Sequence, residues 1–551
     1  MTIMRGTSGA HRIRPANLVL LIVVAAGAVV RYCGIAFGLP HTETRPDESR
    51  IINLAIGIAS GRLNPHYFVY PTLYMYLLGA QFRIEMIVRH LATVDLLPRT
   101  DLFVGARCVT AAFGSATVLA VYAVGKRVQD ELGGILAAGL LAFAFLHVRD
   151  SHFGTTDVPM TFGVLLSLML LLAPDLRRRR LAFAGLIAGL AASVKYNAVL
   201  LPAVAVFLEV HAIVGRKQSW SAATARLALF GGSMAVGFLI GTPFAVVDGP
   251  AFLSGLSFVR DYVHSGHMHN GRVLAFPHAG WRYLSFLLPA AVGWPVFVMG
   301  LLGLGLVIWQ KPKEGIACVV FPVLYFLTAA QGVTVFARYM VPVVPFLCLG
   351  AGYLISVLVA PLRERPWVHA AAIAGGSLII VPSAINVIRL DVLLTRPDNR
   401  LIVGSWIEQN IEKNRSIWQS GSRYGRVQFF SSSAPTEWTY DEETGRFQSG
   451  GVPVADVPEY ILIQRSPLTL YSSVPESVSE LLKSRYILLG LFKSGITALR
   501  ESDFDTSDAF FLPLDHLSAM RRPGPEFELY GRRVSSSPNA ERAVRKRSGG
   551  N

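Results

Sequence analysis

The sequence predicts an α-helical protein that crosses a membrane many times and ends in a small mixed α/β domain outside the bilayer. Three observations lead there. Hydrophobic residues make up 52% of the 551 and charged ones only 16%, with a mean hydropathy of +0.45, far from the balance of a soluble domain. The apolar residues gather into about eleven runs of spanning length, with Lys and Arg in short clusters at alternate ends. After about residue 389 this hydrophobic character stops. A formal net charge of +15 invites a nucleic-acid partner. Its dispersal through short loops between apolar runs is instead the mark of cytoplasmic loops, so the expected partner is the lipid bilayer and not nucleic acid. The four cysteines, Cys33, Cys108, Cys318 and Cys348, all lie in apolar segments without metal-ligand spacing. No disulfide framework is therefore expected in the polar C-terminal part.

Taken in order, residues 1–16 are basic (Arg5, Arg12, Arg14) and precede an apolar run too long for a cleaved leader, so they read as a cytoplasmic N-terminus before a retained anchor. Residues 17–388 form the transmembrane part. Its spans are expected at 17–37, 102–124, 134–148, 158–174, 181–197, 198–214, 225–245, 283–309, 315–331, 338–359 and 367–388. With this assignment Lys126-Arg127, Arg177 to Arg180, Arg216-Lys217, Lys311 with Lys313, and Arg363 with Arg365 all fall on the side of the N-terminus. The stretch 71–90 decides the count. Reading it as a span would put Arg177 to Arg180 outside, and its Tyr and Phe content suits a helix lying at the outer interface. Residues 38–100 thus form a first outer loop with interfacial helices. Residues 389–535 make the outer domain, with strand-like runs at 460–463, 486–489 and 527–530 and a helical pattern over 400–411. Residues 536–551, rich in Arg, Ser and Gly, read as a disordered basic tail.

Ionisable residues at a membrane boundary are costly unless partnered, so their clustering is informative. Asp47 and Glu48 follow the first span, between Arg45 and Arg50. Asp150, His152 and Asp157 form a second acidic group, Lys195 with Tyr196 a third cluster, and Arg338 opens the tenth span. One topology places all of them on the outer face. A carboxylate there can take a proton from an attacking hydroxyl, while Lys and Arg clamp a phosphate and its developing charge. Those tasks fit a substrate with a phosphate and a hydrophobic tail, such as a polyprenyl-phosphate sugar. Asp47 and Glu48 are the candidate catalytic carboxylates, with Arg45, Lys195, Tyr196 and Arg338 as donor-phosphate ligands. His66, Tyr70 and Tyr74 are candidate contacts for sugar or acceptor.

Plainer readings stand beside these. Asp157-Val158-Pro159 also reads as a helix start, Asp150 as a cap or a partner of Arg149, and Lys195 and Arg338 as snorkelling anchors. The Tyr and Phe of 67–76 also read as interfacial packing. His264, His267 and His269 are metal-ligand candidates whose spacing matches no standard zinc motif. No motif calls for a cofactor, and a divalent metal is left open.

The ordered set Arg45-Pro46-Asp47-Glu48, Tyr70-Pro71-Thr72-Leu73-Tyr74, Arg107, Gly125-Lys126-Arg127, Asp150-Ser151-His152, Asp157-Val158-Pro159, Lys195-Tyr196-Asn197 and Arg338-Tyr339 resembles membrane glycosyltransferases of the C-type (GT-C) fold. The branch is the one related to protein O-mannosyltransferases and lipid A aminoarabinose transferases. Asp398-Asn399-Arg400 resembles that group's Asp-Thr-Arg segment leading into the outer domain, with Asn in place of Thr. The resemblance implies an inverting hexosyl- or pentosyltransferase of the cell inner (plasma) membrane, its C-terminal domain extracytoplasmic. It would use a polyprenyl-phosphate sugar, with Asp47 activating an acceptor hydroxyl and Asp157 in a second acidic site. At Val69-Tyr70 the chain lacks the acidic residue and Lys of the aminoarabinose branch, which leaves Lys195 and Arg338 as the main phosphate candidates. Two other classes stay open, a flippase for lipid-linked saccharides and a non-catalytic envelope assembly protein. The sugar and the acceptor are not readable.

Overall fold

A chain with this many apolar runs has to satisfy its backbone polar groups internally, and helices do so within one segment. The computed structural model describes residues 15–269, 272–362, 364–365 and 367–533. The basic N-terminal residues before Pro15, Arg363 and the tail 536–551 lie outside the described residues.

Among the described residues, seven helices are long and apolar enough to cross a membrane, and nine segments qualify when each of two bent pairs is taken as one. The protein is a multi-pass membrane protein. Helices Asp157–Leu171 and Arg178–Ala192, each of 15 residues, occupy the two remaining expected positions. Leu73–Val88, at 16 residues, is not among the helices long and apolar enough to cross a membrane. It packs on the neighbouring helix Glu48–Ala59, burying Tyr74, Met75, Leu78 and Phe82.

Two expected spans differ from straight helices. The run 283–309 is bent by 110° between Ala279–Val292 and Trp294–Gln310. Gly293 sits at the corner with φ +83°, a conformation an L side chain resists, and Pro295 then opens the second helix. The run 134–148 is bent by 60° between Glu131–Ala142 and Phe145–Ser151. Ser383 repairs that break, accepting from the Phe145 N–H at 3.1 Å and donating to the Phe143 carbonyl at 2.8 Å.

The basic loops share one end of the bundle. Lys311 Nζ donates to the Val128 carbonyl at 2.8 Å, and Arg226 reaches both the Leu176 carbonyl and Glu209. Asp157 starts the helix whose C-terminus leads to Arg177, so it lies at the opposite end, about 22 Å away at 1.5 Å per residue.

The outer part carries helix Asn399–Asn410, capped by Asp398, and a seven-stranded mixed sheet. Its strand order is Val452–Pro453, Arg446–Ser449, Thr436–Asp441, Ser416–Gln419, Tyr460–Arg465, Glu526–Arg532 and Tyr486–Phe492. Ser416–Gln419 is parallel to both neighbours and the other pairings are antiparallel. All three strand-like runs and the 400–411 helical pattern are present. A clean division at 389 is not. Phe510, Leu512, Leu514, Leu517 and Met520 pack into the same apolar core as the spans. The first outer loop is tied to the sheet domain as well. Buried His41 donates Nε2–H to the Arg426 carbonyl at 2.7 Å, and its Nδ1 accepts from the Glu43 N–H at 3.3 Å, which defines a neutral ring.

Two expectations follow. At Gly303 an added Cβ would lie 1.8 Å from the Gly350 carbonyl oxygen, so Gly303→Ala must push helices Trp294–Gln310 and Val344–Val359 apart. A loss of about 1–3 kcal/mol is expected, read as a lower melting temperature in detergent. Burial, then Arg400, lower the His41 pKa from 6.5 to about 4. As pH falls, the unfolded chain takes up this proton first. Stability is therefore whole above about pH 6.5 and declines towards pH 4, by at most about 3 kcal/mol. His41→Gln should flatten that slope in melting curves recorded from pH 7 to 4.5.

Candidate functional site

Helix Glu48–Ala59 begins with two adjacent carboxylates whose surroundings differ completely. Asp47 precedes its first turn with φ +68° and ψ −28°, a strained setting that Asp tolerates better than most residues and that recurs at functional sites. Its side chain is 31% exposed and meets Arg338 Nη1 at 2.8 Å, while the Tyr70 hydroxyl donates to the same oxygen at 3.2 Å. Burial and Asp47 together push the Tyr70 phenol well above its ordinary range, so it stays a donor.

Glu48 is fully enclosed. Arg107 clamps it in a two-point bond, Nε to Oε1 at 2.8 Å and Nη2 to Oε2 at 2.7 Å, and the Gly154 N–H donates to Oε1 at 2.8 Å. The remaining Arg107 nitrogen donates to the Ile35 and Phe37 carbonyls at 3.0 and 2.9 Å. Glu48 thus holds the loop in place and presents no open side to a reactant.

Asp157 and Lys195 form a direct buried ion pair. Lys195 Nζ lies 5.1 Å above the ring of Tyr339, the residue after Arg338. Tyr339 is within electrostatic reach of Arg338, Asp157 and Asp47. One turn, Ala337–Met340, therefore joins the Asp47–Arg338 pair to the Asp157–Lys195 pair. The arrangement offers one reachable carboxylate beside two cations, at the end of the bundle opposite Arg177.

Most of the other expected site residues spend their polar groups on partners within the protein. Arg45, expected on the donor phosphate, is fully buried, bonded to Asp508 and stacked 4.4 Å over Phe153. Asp150 is buried against Arg149 at 3.2 Å, with Arg45 4.0 Å away. His152 is buried with its ring nitrogens on the Val148 and Cys33 carbonyls at 3.0 and 2.9 Å. Tyr196 spends its hydroxyl on the Phe68 carbonyl at 2.8 Å, and Tyr74 spends its own on Thr110 and Ala106. His66 is exposed and pairs with Asp248 at 2.6 Å. Among the metal-ligand candidates, His264 meets the Arg260 carbonyl and His267 lies between the hydroxyls of Tyr262 and Tyr471. The side chain of His269 lies outside the described residues. Among the described residues no group of three or more His, Cys, Asp or Glu side chains is arranged to hold a metal ion.

Two further carboxylates reach this region from the outer part of the chain. Asp508 joins Arg45 and lies 3.5 Å from Arg149, and Asp505 accepts from the Ala337 N–H at 2.8 Å. Burial, then Asp508, raise Asp505 to about 6. Burial pushes Asp508 up as well, but Arg45, Arg338 and Arg149 outweigh it and hold Asp508 below the ordinary carboxylate range. The signal for this segment was the apolar island Ala509 to Leu514 inside an otherwise polar region.

The family model for dolichyl-phosphate-mannose-protein mannosyltransferases matches residues 99–244. Among curated protein sequences none matches significantly. Among solved structures, the oligosaccharyltransferase AglB from Archaeoglobus fulgidus, in complex with an inhibitory peptide and a dolichol-phosphate, is similar at TM-score 0.50 and 14% identity. The match covers 74% of this chain and 62% of that one, so the present chain spans less than two thirds of the archaeal enzyme. ArnT from Cupriavidus metallidurans bound to undecaprenyl phosphate gives TM-score 0.47 and 16% identity over 74% of this chain and 83% of that one. Its apo state gives 0.48 and 16% over 86% and 96%. The chain has the GT-C fold.

The Glu48–Arg107 pair yields a sharp contrast. Arg107→Ala leaves a carboxylate buried without its counter-ion and should cost about 3–5 kcal/mol, whereas Glu48→Gln combined with Arg107→Met should cost much less. Melting temperatures of the purified single and double variants in detergent give the comparison.

Proposed function

From the GT-C fold as premise, we propose that this chain is an inverting glycosyltransferase. It moves a sugar from a polyprenyl-phosphate donor to an acceptor hydroxyl on protein, lipid or cell-envelope glycan. One observation carries the reading. Asp47, 31% exposed, stands next to Arg338 and is linked through Tyr339 to Lys195 and Asp157. The reading draws further support from the dolichol-phosphate and undecaprenyl phosphate bound by the structural neighbours.

In this mechanism the acceptor oxygen attacks the anomeric carbon from the face opposite the phosphate. Its proton passes to an Asp47 carboxylate oxygen as the new carbon–oxygen bond forms. The bond between the anomeric carbon and the phosphate oxygen breaks, and its electron pair leaves with the polyprenyl phosphate. Arg338 and Lys195 stabilise the charge gained by that phosphate. A single displacement of this kind inverts the anomeric centre. The positive-inside rule puts the end bearing Arg177 to Arg180 in the cytoplasm and the site on the outer face of the plasma membrane.

The test is complementation of a deletion strain, with envelope glycans and glycoproteins read by mass spectrometry. Asp47→Asn should cut the dependent modification about 100-fold or more at unchanged protein level, the range expected for losing a general base. Full modification by Asp47→Asn overturns the proposal in favour of a flippase or an assembly role.

A further inference from the structure

The turn that bears Arg338 is anchored by its own helix at one end only. Ala337–Met340 is four residues of 3-10 helix that lead through Val341–Val343 into helix Val344–Val359, which fixes the C-terminal end of the turn. Irregular chain precedes it from Gly332, so its N-terminal end, next to Arg338, is set from outside. The loop before it is anchored by the Val333 N–H to the Val263 carbonyl at 3.0 Å and by Thr334 Oγ1 to the Tyr262 carbonyl at 2.8 Å. The turn itself is held at its first residue, where the Ala337 N–H donates to Asp505 Oδ2 at 2.8 Å. That acceptor comes from sequence beyond the last span.

The segment around Asp505 is built in. Asp505, Thr506, Ser507 and Asp508 are all buried. Phe510 wedges edge-on against Phe37 and Phe153, with ring centres 5.9 and 4.9 Å apart. Asp508 binds Arg45 and stands 3.5 Å from Arg149, so the segment is pinned by charge and by apolar packing on either side of Asp505. A carboxylate fixed this firmly is a reference point against which the turn is set.

We propose that Asp505, held in register by Asp508 and Phe510, is a positioning residue for the site: its bond to the Ala337 N–H places Arg338 for the phosphate of the lipid donor. The outer domain is by this account a working wall of the transferase site. The inference rests on the glycosyl-donor reading above, because it needs Arg338 to meet the phosphate.

The experiment uses the full chain in detergent, with undecaprenyl phosphate as the probe and native mass spectrometry as the binding readout. Asp505→Ala should weaken binding about 10-fold, a shift of about 1.4 kcal/mol, with a melting temperature within a few degrees of wild type. Asp505→Asn, which keeps an oxygen for the Ala337 N–H, should recover most of the affinity. Ala337→Pro offers a second route if Asp505→Ala does not fold. It removes the same donor, and Phe336 is already extended at φ −122° and ψ 140°, as a residue before proline must be. Ala337→Pro should match Asp505→Ala.

Arg338→Gln separates the two levels of the argument. If Arg338→Gln loses the lipid while Asp505→Ala and Ala337→Pro keep it, the positioning role is wrong and the transferase reading survives. If Arg338→Gln itself binds like wild type, the donor-phosphate reading falls and this inference with it. A loss in Asp505→Asn as large as that in Asp505→Ala also overturns the proposal.

Discussion

The buried pair of Glu48 and Arg107 is the constraint on which the rest of the site-bearing end of the bundle depends. A lone charge sealed away from water costs several kcal/mol, so each partner requires the other. Arg107 belongs to the long helix Arg99–Val128 and also binds the carbonyls of Ile35 and Phe37. Glu48 starts the first helix of the outer loop and receives the Gly154 N–H. One ion pair thus fixes the exit of the first span, the second span, the outer loop and the loop before Asp157. With that junction set, Asp47 has little freedom about where it points.

Adjacent residues with opposite environments show how the chain divides labour. Asp47 takes a left-handed backbone conformation just before the helix, and Glu48 is already inside it. The turn between them sends one carboxylate to Arg107 and the other to Arg338 and Tyr70. The first is satisfied on all sides. The second keeps a face open to solvent.

Legibility in the sequence followed the range of the interactions. The apolar helices, the helix Leu73–Val88 and the strands of the C-terminal sheet rest on local hydrophobic pattern, and their existence could be read directly. The gathering of Asp47, Asp157, Lys195 and Arg338 at one end followed from topology alone. What could not be read was which charged residues pair with each other. Arg45 stood with Arg338 among the phosphate candidates, and its partner in the structure is Asp508, 463 residues away. His152, Tyr196 and Tyr74 were lost to backbone or hydroxyl partners in the same way, since no periodicity marks a carbonyl that happens to face a ring or a phenol. The bend at Gly293 was hidden because a glycine in an apolar run reads equally as a packing residue.

The distance along the chain between Arg45 and Asp508 has a bearing on how the protein is made. A ribosome feeding the chain into the bilayer delivers Arg45 and Arg149 early and their shared counter-ion hundreds of residues later. Until synthesis passes Asp508, Asp150 is the carboxylate that both guanidinium groups face without it, and the lining behind Arg338 is unfinished. A prematurely terminated product could therefore contain every span and still lack a completed outer face. Completion of that face waits on a segment made well after the last span.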